Sequence, residues 1–245
     1  MTKSMTAVRA PVTPRSFSWS YSRLKNFETC PSRYYHVDLV RDVPQEQTEE
    51  LDRGDALHKA MYSRVTSGTK LPAQFVYMER WANILTKELH PLQIIQCELK
   101  LAVDKSMRPT GFMDKTTWCR VKVDYFKLLP RREKGRFLGH MVDYKTGRPK
   151  EDDTQLLVNA ALLFAHYKDM DELRANYLWT EYNDTHSLTI TRRGAEEAME
   201  ELLPRVTRLE LAAINGAWEP TFNRLCKDYC PVRSCKYNGK AYTRA

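Results

Sequence analysis

From Phe17 onward the apolar positions change period several times, and each change marks an element. Ser20 or Ser22 can cap a helix running through Phe27, with Pro31 marking its break. Asp52 precedes a second helical stretch over 53–65, and residues 72–90 have the composition of a third, ending at His90-Pro91. The pattern then turns to strands. Residues 94–103 (IIQCELKLAV) partly alternate, and 111–119 (GFMDKTTWC) form a short candidate. Residues 120–129 alternate at their start, and 137–145 (FLGHMVDYK) follow a polar, basic turn at 130–136. Thr154 opens a helix over 155–168. Residues 177–183 and 187–192 form a strand pair split by Asp-Thr-His, and a long helix runs from Arg193 to Ile214 with a kink expected at Pro204. The order of helices, strands, helix, strands, helix predicts an α/β fold, a central mixed β-sheet flanked by helices. Residues 1–16 read as a basic flexible tail, which leaves 17–245 as a single domain.

A chain of 245 residues can bury roughly three quarters of its unfolded surface, so it needs no staples to build a core. With 42% hydrophobic and 29% charged residues it is not a disordered chain. Its longest apolar run, Leu156–Ala165, contains Asn159 and is too short for a membrane span. No hydrophobic leader is visible at the N-terminus. These features predict a soluble, cytoplasmic protein without membrane contact, whose six cysteines are free or metal-bound rather than paired. The net charge of +8 sits at the ends: residues 1–16 carry +3 and residues 226–245 carry +4. Basic ends suit a polyanion, with nucleic acid first; a solubilising role is the alternative.

Three local patterns carry chemistry. Asp143 and Lys145 are two apart on a strand and share a face, where the strand leaves the core at Thr146-Gly147. With a second carboxylate nearby they would offer oxygen ligands for Mg²⁺ or Mn²⁺ and a fixed cation for a phosphate. His58 sits four residues after Gly54 on the second helix, and Gln155 begins the helix after the Asp-x-Lys strand. Cys226, Cys230 and Cys235 crowd the C-terminal segment, while Cys30 stands alone after the first helix. Four thiolates suit either zinc or an iron–sulfur cluster. Cys97 and Cys119 lie on strands and read as core thiols.

Taken in order, SWSYSRLKNFETCPSRYY (18–35), RGDALHKAM (53–61), GFMDKTTW (111–118), MVDYKTG (141–147), QLLVNAALL (155–163) and LCKDYCPVRSC (225–235) resemble the RecB-like branch of the PD-(D/E)XK nuclease superfamily. They are most similar to its iron–sulfur members, the CRISPR-associated RecB-like nucleases and AddB. The resemblance implies a restriction-endonuclease-like fold in which an iron–sulfur region joins the N- and C-terminal parts. It implies His58, Asp114 and Asp143 as metal ligands, the Tyr144 carbonyl as a further one, and Lys145 as the residue that positions or activates the attacking water. Gln155 matches the start of a Gln-x-x-x-Tyr motif, although Asn159 holds the tyrosine place. Cys30, Cys226, Cys230 and Cys235 would hold a [4Fe–4S] cluster, with zinc as the alternative.

Asp124 is the rival of Asp114. A symmetric hairpin about 130–136 pairs Leu129 with Phe137, sets Val123 opposite Asp143 and turns Asp124 to the other face. A one-residue slip reverses that conclusion. The Gly-x-x-Asp pattern favours Asp114.

The function implied is a Mg²⁺- or Mn²⁺-dependent deoxyribonuclease, an exonuclease on DNA ends or single strands, in DNA processing, recombination or repair. The chain has no Gly-x4-Gly-Lys-Ser/Thr motif, so translocation would come from a helicase or recombination partner. The basic turn (Arg131, Arg132, Lys134, Arg136) could track phosphates, and Tyr34, Tyr35, Tyr229 and Tyr237 could stack on bases. Two other readings are a non-catalytic DNA-binding accessory protein and a zinc-ribbon-type adaptor.

Overall fold

The computed structural model describes residues 17–44, 47–131 and 135–242. The basic tail 1–16, together with Arg132 and Lys134 of the basic turn, lies outside the described residues. Helix α1 (Tyr21–Thr29) is capped by Ser20, whose hydroxyl accepts from Arg23 N. Pro31 does not break the chain into coil; it is the first residue of α2 (Pro31–Tyr34), where its missing N–H costs nothing. Helix α3 (Glu49–Ser67) starts earlier than expected because Thr48, not Asp52, is its cap. Glu49, Glu50 and Asp52 then sit in the first turn, where they favour the helix dipole. The stretch 72–90 is a 3₁₀ turn (Ala73–Met78) leading into a short α4 (Glu79–Thr86).

Five strands follow: β1 (Ile94–Val103), β2 (Cys119–Pro130), β3 (Phe137–Lys145), β4 (Met170–Trp179) and β5 (Asp184–Thr191). They form one sheet in chain order, antiparallel throughout except for the parallel β3–β4 pair. Helix α5 (Thr154–His166) makes the β3–β4 crossover, and α6 (Arg192–Asn215) continues through Pro204. The fold is therefore the mixed α/β sheet the sequence predicts. One expected strand is absent: residues 111–118 are turns, and only Cys119 belongs to β2. A second was underread, because β4 begins at Met170 rather than at Tyr177.

Two cores hold the layers together. On one sheet face Val121, Val123, Met141 and Ala175 pack with Leu156, Leu162 and Leu209 of α5 and α6. On the other, Tyr125, Val142, Tyr144 and Leu178 pack with Leu57 and Met61 of α3 and with Ala82 and Leu85 of α4. The α5 sequence is apolar nearly all round because sheet and α6 cover it from both sides. The C-terminal end of α5 is closed by Arg192, which donates to Phe164 O at 2.7 Å and Lys168 O at 2.8 Å. No helix among the described residues is long and apolar enough to cross a membrane.

Candidate active site

The site lies where β2 and β3 part. Their ladder runs from Pro130↔Phe137 to Tyr125↔Val142 and goes no further. Past that point Asp143 to Lys145 pair only with β4, and the freed Tyr144 N–H donates to Asp124 Oδ2 at 2.9 Å. The register is one residue off the symmetric hairpin, because the loop closes with Arg131 N donating to Arg136 O. Leu129 therefore meets Leu138, and Asp124 and Asp143 are the next residues past the last pair, Tyr125↔Val142. This is the slip that reverses the choice between the aspartates.

The sequence expectation for Asp114 does not match the geometry. Asp114 is exposed in the β1–β2 connection, and its carboxylate accepts the Gly111 N–H at 2.8 Å. Asp114 N in turn donates to Gly111 O, closing a tight turn. A Cβ on Gly111 would come within 2.7 Å of Asp114 Oδ2. The Gly-x-x-Asp spacing here thus serves a self-capped turn. Val103↔Cys119 closes that end of the β1–β2 ladder, and Asp124 is five residues along β2, about 17 Å away.

Around Asp124 the side chains form one group. His58 of α3 reaches Asp124 Oδ1 through Nδ1 at 3.2 Å. Glu98 of β1 joins them, with one donor atom from each of the three lying within 4.8 Å of the others. Sequence reasoning missed Glu98. Its backbone is left-handed, φ 55°, which for a glutamate costs on the order of 1–3 kcal/mol and is typical of sites where function outweighs stability. The signal was the faltering alternation of residues 94–103. Ile95 and Cys97 pack in the α3–α4 core, whereas Leu99, Leu101 and Val103 pack in the α5–α6 core. The same switch falls between Val123 and Tyr125 on β2. Both strands change face at Glu98 and Asp124 without losing register.

Asp143, Lys145 and Gln155 form a second group beside the first. Gln155 Nε2 donates to Asp143 Oδ1 at 2.8 Å, and Lys145 Nζ donates to Gln155 Oε1 at 2.9 Å. Lys145 Nζ stands 2.5 Å from Asp143 Oδ2 as an ion pair. The ammonium also lies over the Tyr177 ring. Four residues on from Gln155, Asn159 is buried with its side-chain N–H₂ unpartnered.

The electrostatics of the two groups suit a cation. Burial raises the Asp143 carboxyl to about 6; Lys145 pulls it down and the Asp124 charge pushes it up. Burial opposes charging His58, but the Asp124 hydrogen bond and the Asp124 and Asp143 charges outweigh it, so its pKa is held above the ordinary imidazole value. An ion between Asp124 and Asp143 would replace that proton. Mn²⁺ affinity measured by calorimetry should therefore rise with pH through and above the ordinary imidazole range, with proton release on binding. His58→Ala should flatten that dependence.

The four cysteines meet at the opposite end of α1. Cys30, Cys226, Cys230 and Cys235 line one cleft with Arg33, Thr221 and Asn223. Asn223 Nδ2 donates to Thr29 O at 2.9 Å, and Thr221 N points at Cys30 Sγ, so the two chain ends are joined there. Burial raises the Cys230 thiol, and the neighbouring Cys30 and Cys226 add to the rise. Arg33 Nε is buried without a partner in the same cleft. An arginine Nε–H without a partner beside four thiols suits a metal group that carries negative charge on its sulfurs.

The remaining expectations fare unevenly. Arg131 pairs with Glu172, and Arg136 with Asp171, so half of the basic turn is already neutralised. Tyr34 is buried, Tyr35 stacks on Trp218 and Tyr237 stacks on Phe222; Tyr229 alone of the four stands exposed.

The profile of the PD-(D/E)XK nuclease superfamily matches residues 18–235. The chain belongs to this superfamily. Among solved structures it is similar to the Eubacterium rectale protein called "Putative exonuclease", at 15% identity over 94% of this chain and 92% of that one, with a TM-score of 0.49. It is also similar to the protein SSO0001, at 14% identity over 89% and 85%, with a TM-score of 0.40. No curated protein matches it. Asp124 and Asp143 lie on the adjacent strands β2 and β3.

Proposed function

We propose that this nuclease is a Mg²⁺- or Mn²⁺-dependent deoxyribonuclease that digests DNA from ends or single strands. The observation that carries the reading is the two carboxylates at the parting of β2 and β3, Asp124 held by His58 and the Tyr144 N–H and Asp143 by Lys145. Asp124, Asp143 and His58 would hold the ion, with Glu98 and the Tyr144 carbonyl within the same pocket as further oxygen donors. When bound, the ion lowers the pKa of a water and neutralises charge on the phosphate. Gln155 fixes both Asp143 and Lys145, so the ammonium is held to meet a phosphate or water rather than swinging free. All the side chains that such hydrolysis asks for are present, which weighs against a non-catalytic accessory role.

Gathered in one cleft, Cys30, Cys226, Cys230 and Cys235 would hold a [4Fe–4S] cluster, with zinc as the alternative. A helicase or recombination partner would supply translocation, and DNA processing, recombination or repair is the setting such chemistry serves. The test is anaerobic purification followed by digestion of end-labelled single- and double-stranded DNA in Mn²⁺. Brown protein that shortens labelled strands only with a divalent ion is the expected result. Colourless, zinc-loaded protein overturns the cluster, and metal-loaded protein without cleavage overturns the nuclease.

A further inference from the structure

Beyond the ion pocket, β1 and β2 carry an exposed basic strip that no part of the proposed chemistry uses. Lys122 and Arg120 follow Asp124 along β2 at two-residue steps, about 7 Å each. Lys100 is paired directly across from Lys122, and both are exposed. Like charges directly opposite on an antiparallel pair weaken a sheet, so folding gains nothing from this arrangement. Lys122 pairs with Glu98 of the ion pocket, which ties the strip to the site. Neither Lys100 nor Arg120 has an acidic partner among the described residues. Arg120 donates only to neutral groups, Ser18 Oγ at 2.9 Å and Met113 Sδ at 3.6 Å, and its Nε is buried without a hydrogen bond. The Phe112 ring lies 5.8 Å from the Lys100 ammonium and 5.4 Å from the Arg120 guanidinium, and the next residue, Met113, is 80% exposed.

Cations stepping toward an ion pocket, two of them without an acidic partner among the described residues, match a phosphodiester backbone, and an aromatic ring beside them matches an unpaired base. We propose that Lys122, Lys100, Arg120 and Phe112 form the track along which a single strand of DNA approaches the site. The phosphates lie on the three cations and one base stacks on Phe112. The proposal deepens the nuclease reading and rests on it. Duplex DNA keeps its bases stacked, so it would use the cations but not the ring.

Binding is read on the Asp143→Asn protein, by anisotropy of a labelled thymidine oligonucleotide across a salt series, with a blunt duplex in parallel. Lys100→Ala with Arg120→Ala should weaken oligonucleotide binding at least tenfold and reduce the salt slope by about 1.4, from about 0.7 per lost phosphate contact. Phe112→Ala should weaken it by about fivefold to about a hundredfold, leave the duplex nearly unchanged, and be rescued by Phe112→Trp. Lys100→Glu alone, on an exposed side chain, guards against a double variant that folds poorly. An unchanged affinity and salt slope in Lys100→Glu overturns the track. Equal losses for oligonucleotide and duplex in Phe112→Ala overturn the stacking. Wild-type cleavage in Mn²⁺ is measured alongside. Cleavage with binding insensitive to these residues rejects the track alone, whereas sensitive binding without cleavage rejects the nuclease reading and keeps the track.

Discussion

Asp143→Asn should abolish Mn²⁺-dependent DNA cleavage and, in the same protein, raise the stability of the metal-free form at neutral pH. The two effects have one cause. Asp143 is 3% exposed, and burial raises its carboxyl to about 6 from an ordinary value of 3.8, despite Lys145 beside it. A folded-state pKa above the unfolded one favours the protonated form. The carboxyl therefore costs the fold nothing below about pH 4. It costs progressively more as pH rises toward about 6, and the full penalty, about 3 kcal/mol, applies above that. Asparagine keeps the shape and removes the charge. Metal-free Asp143→Asn should melt several degrees above the metal-free wild type at pH 7.5 and level with it near pH 4. Mn²⁺ should raise the melting temperature of the wild type and leave the variant unmoved. The aspartate contrast belongs to the same experiment. Asp124→Ala should lose cleavage as completely as Asp143→Asn, while Asp114→Ala should keep it and lose only the turn hydrogen bond to Gly111. Cleavage that survives Asp124→Ala but not Asp114→Ala would reverse the assignment drawn from the strand register.

Cys226→Ala should have the largest effect on stability. The four cysteines join residue 30 to residues 226–235, a loop of nearly the whole chain, and closing a long loop removes the most chain entropy from the unfolded state. A covalent bridge over such a span is worth about 5 kcal/mol, and metal binding that couples to folding acts in the same direction. The expected result is loss of visible absorbance, a fall of about 10 °C or more in melting temperature, and early proteolysis within 217–242. Cys97→Ala and Cys119→Ala should retain the chromophore, because neither thiol lines the cleft. Cys119→Ala should still cost stability, since Cys119 is fully buried in the α5–α6 core. A Cys226→Ala protein with unchanged colour and melting would remove both the cluster and its role as a tie.

The layer order of this protein was legible because hydrophobic period and turn chemistry are local. Ser20, Thr154 and the apolar α5 run mark their helices whatever packs against them, and the Asp143-Tyr144-Lys145 alternation puts Asp143 and Lys145 on one face of any strand. The choice of Thr48 over Asp52 as a cap was harder, since several acidic residues in a row all suit a helix start. Residues 111–118 read as a strand because Phe112, Thr116, Thr117 and Trp118 have strand propensity. The hydrogen bonds that curl them into turns run from Gly111 N–H to Asp114 Oδ2 and from Thr117 Oγ1–H to Gly111 O, side-chain bonds that strand propensity does not register.

What the amino-acid order determined by itself was therefore the set of elements, the Asp-x-Lys pair, the cysteine spacing and the family motifs in their sequence. Only the tertiary structure decided which second carboxylate joins Asp143. That choice hangs on a hairpin register, and a one-residue shift moves every side chain of a strand to the other face at no cost visible in the local pattern. The same is true of Glu98. Its place beside His58 and Asp124 comes from a left-handed backbone and a paired change of face on two strands. Packing on both sides of the sheet accompanies that change of face, and the sequence shows of it only the faltering alternation of residues 94–103.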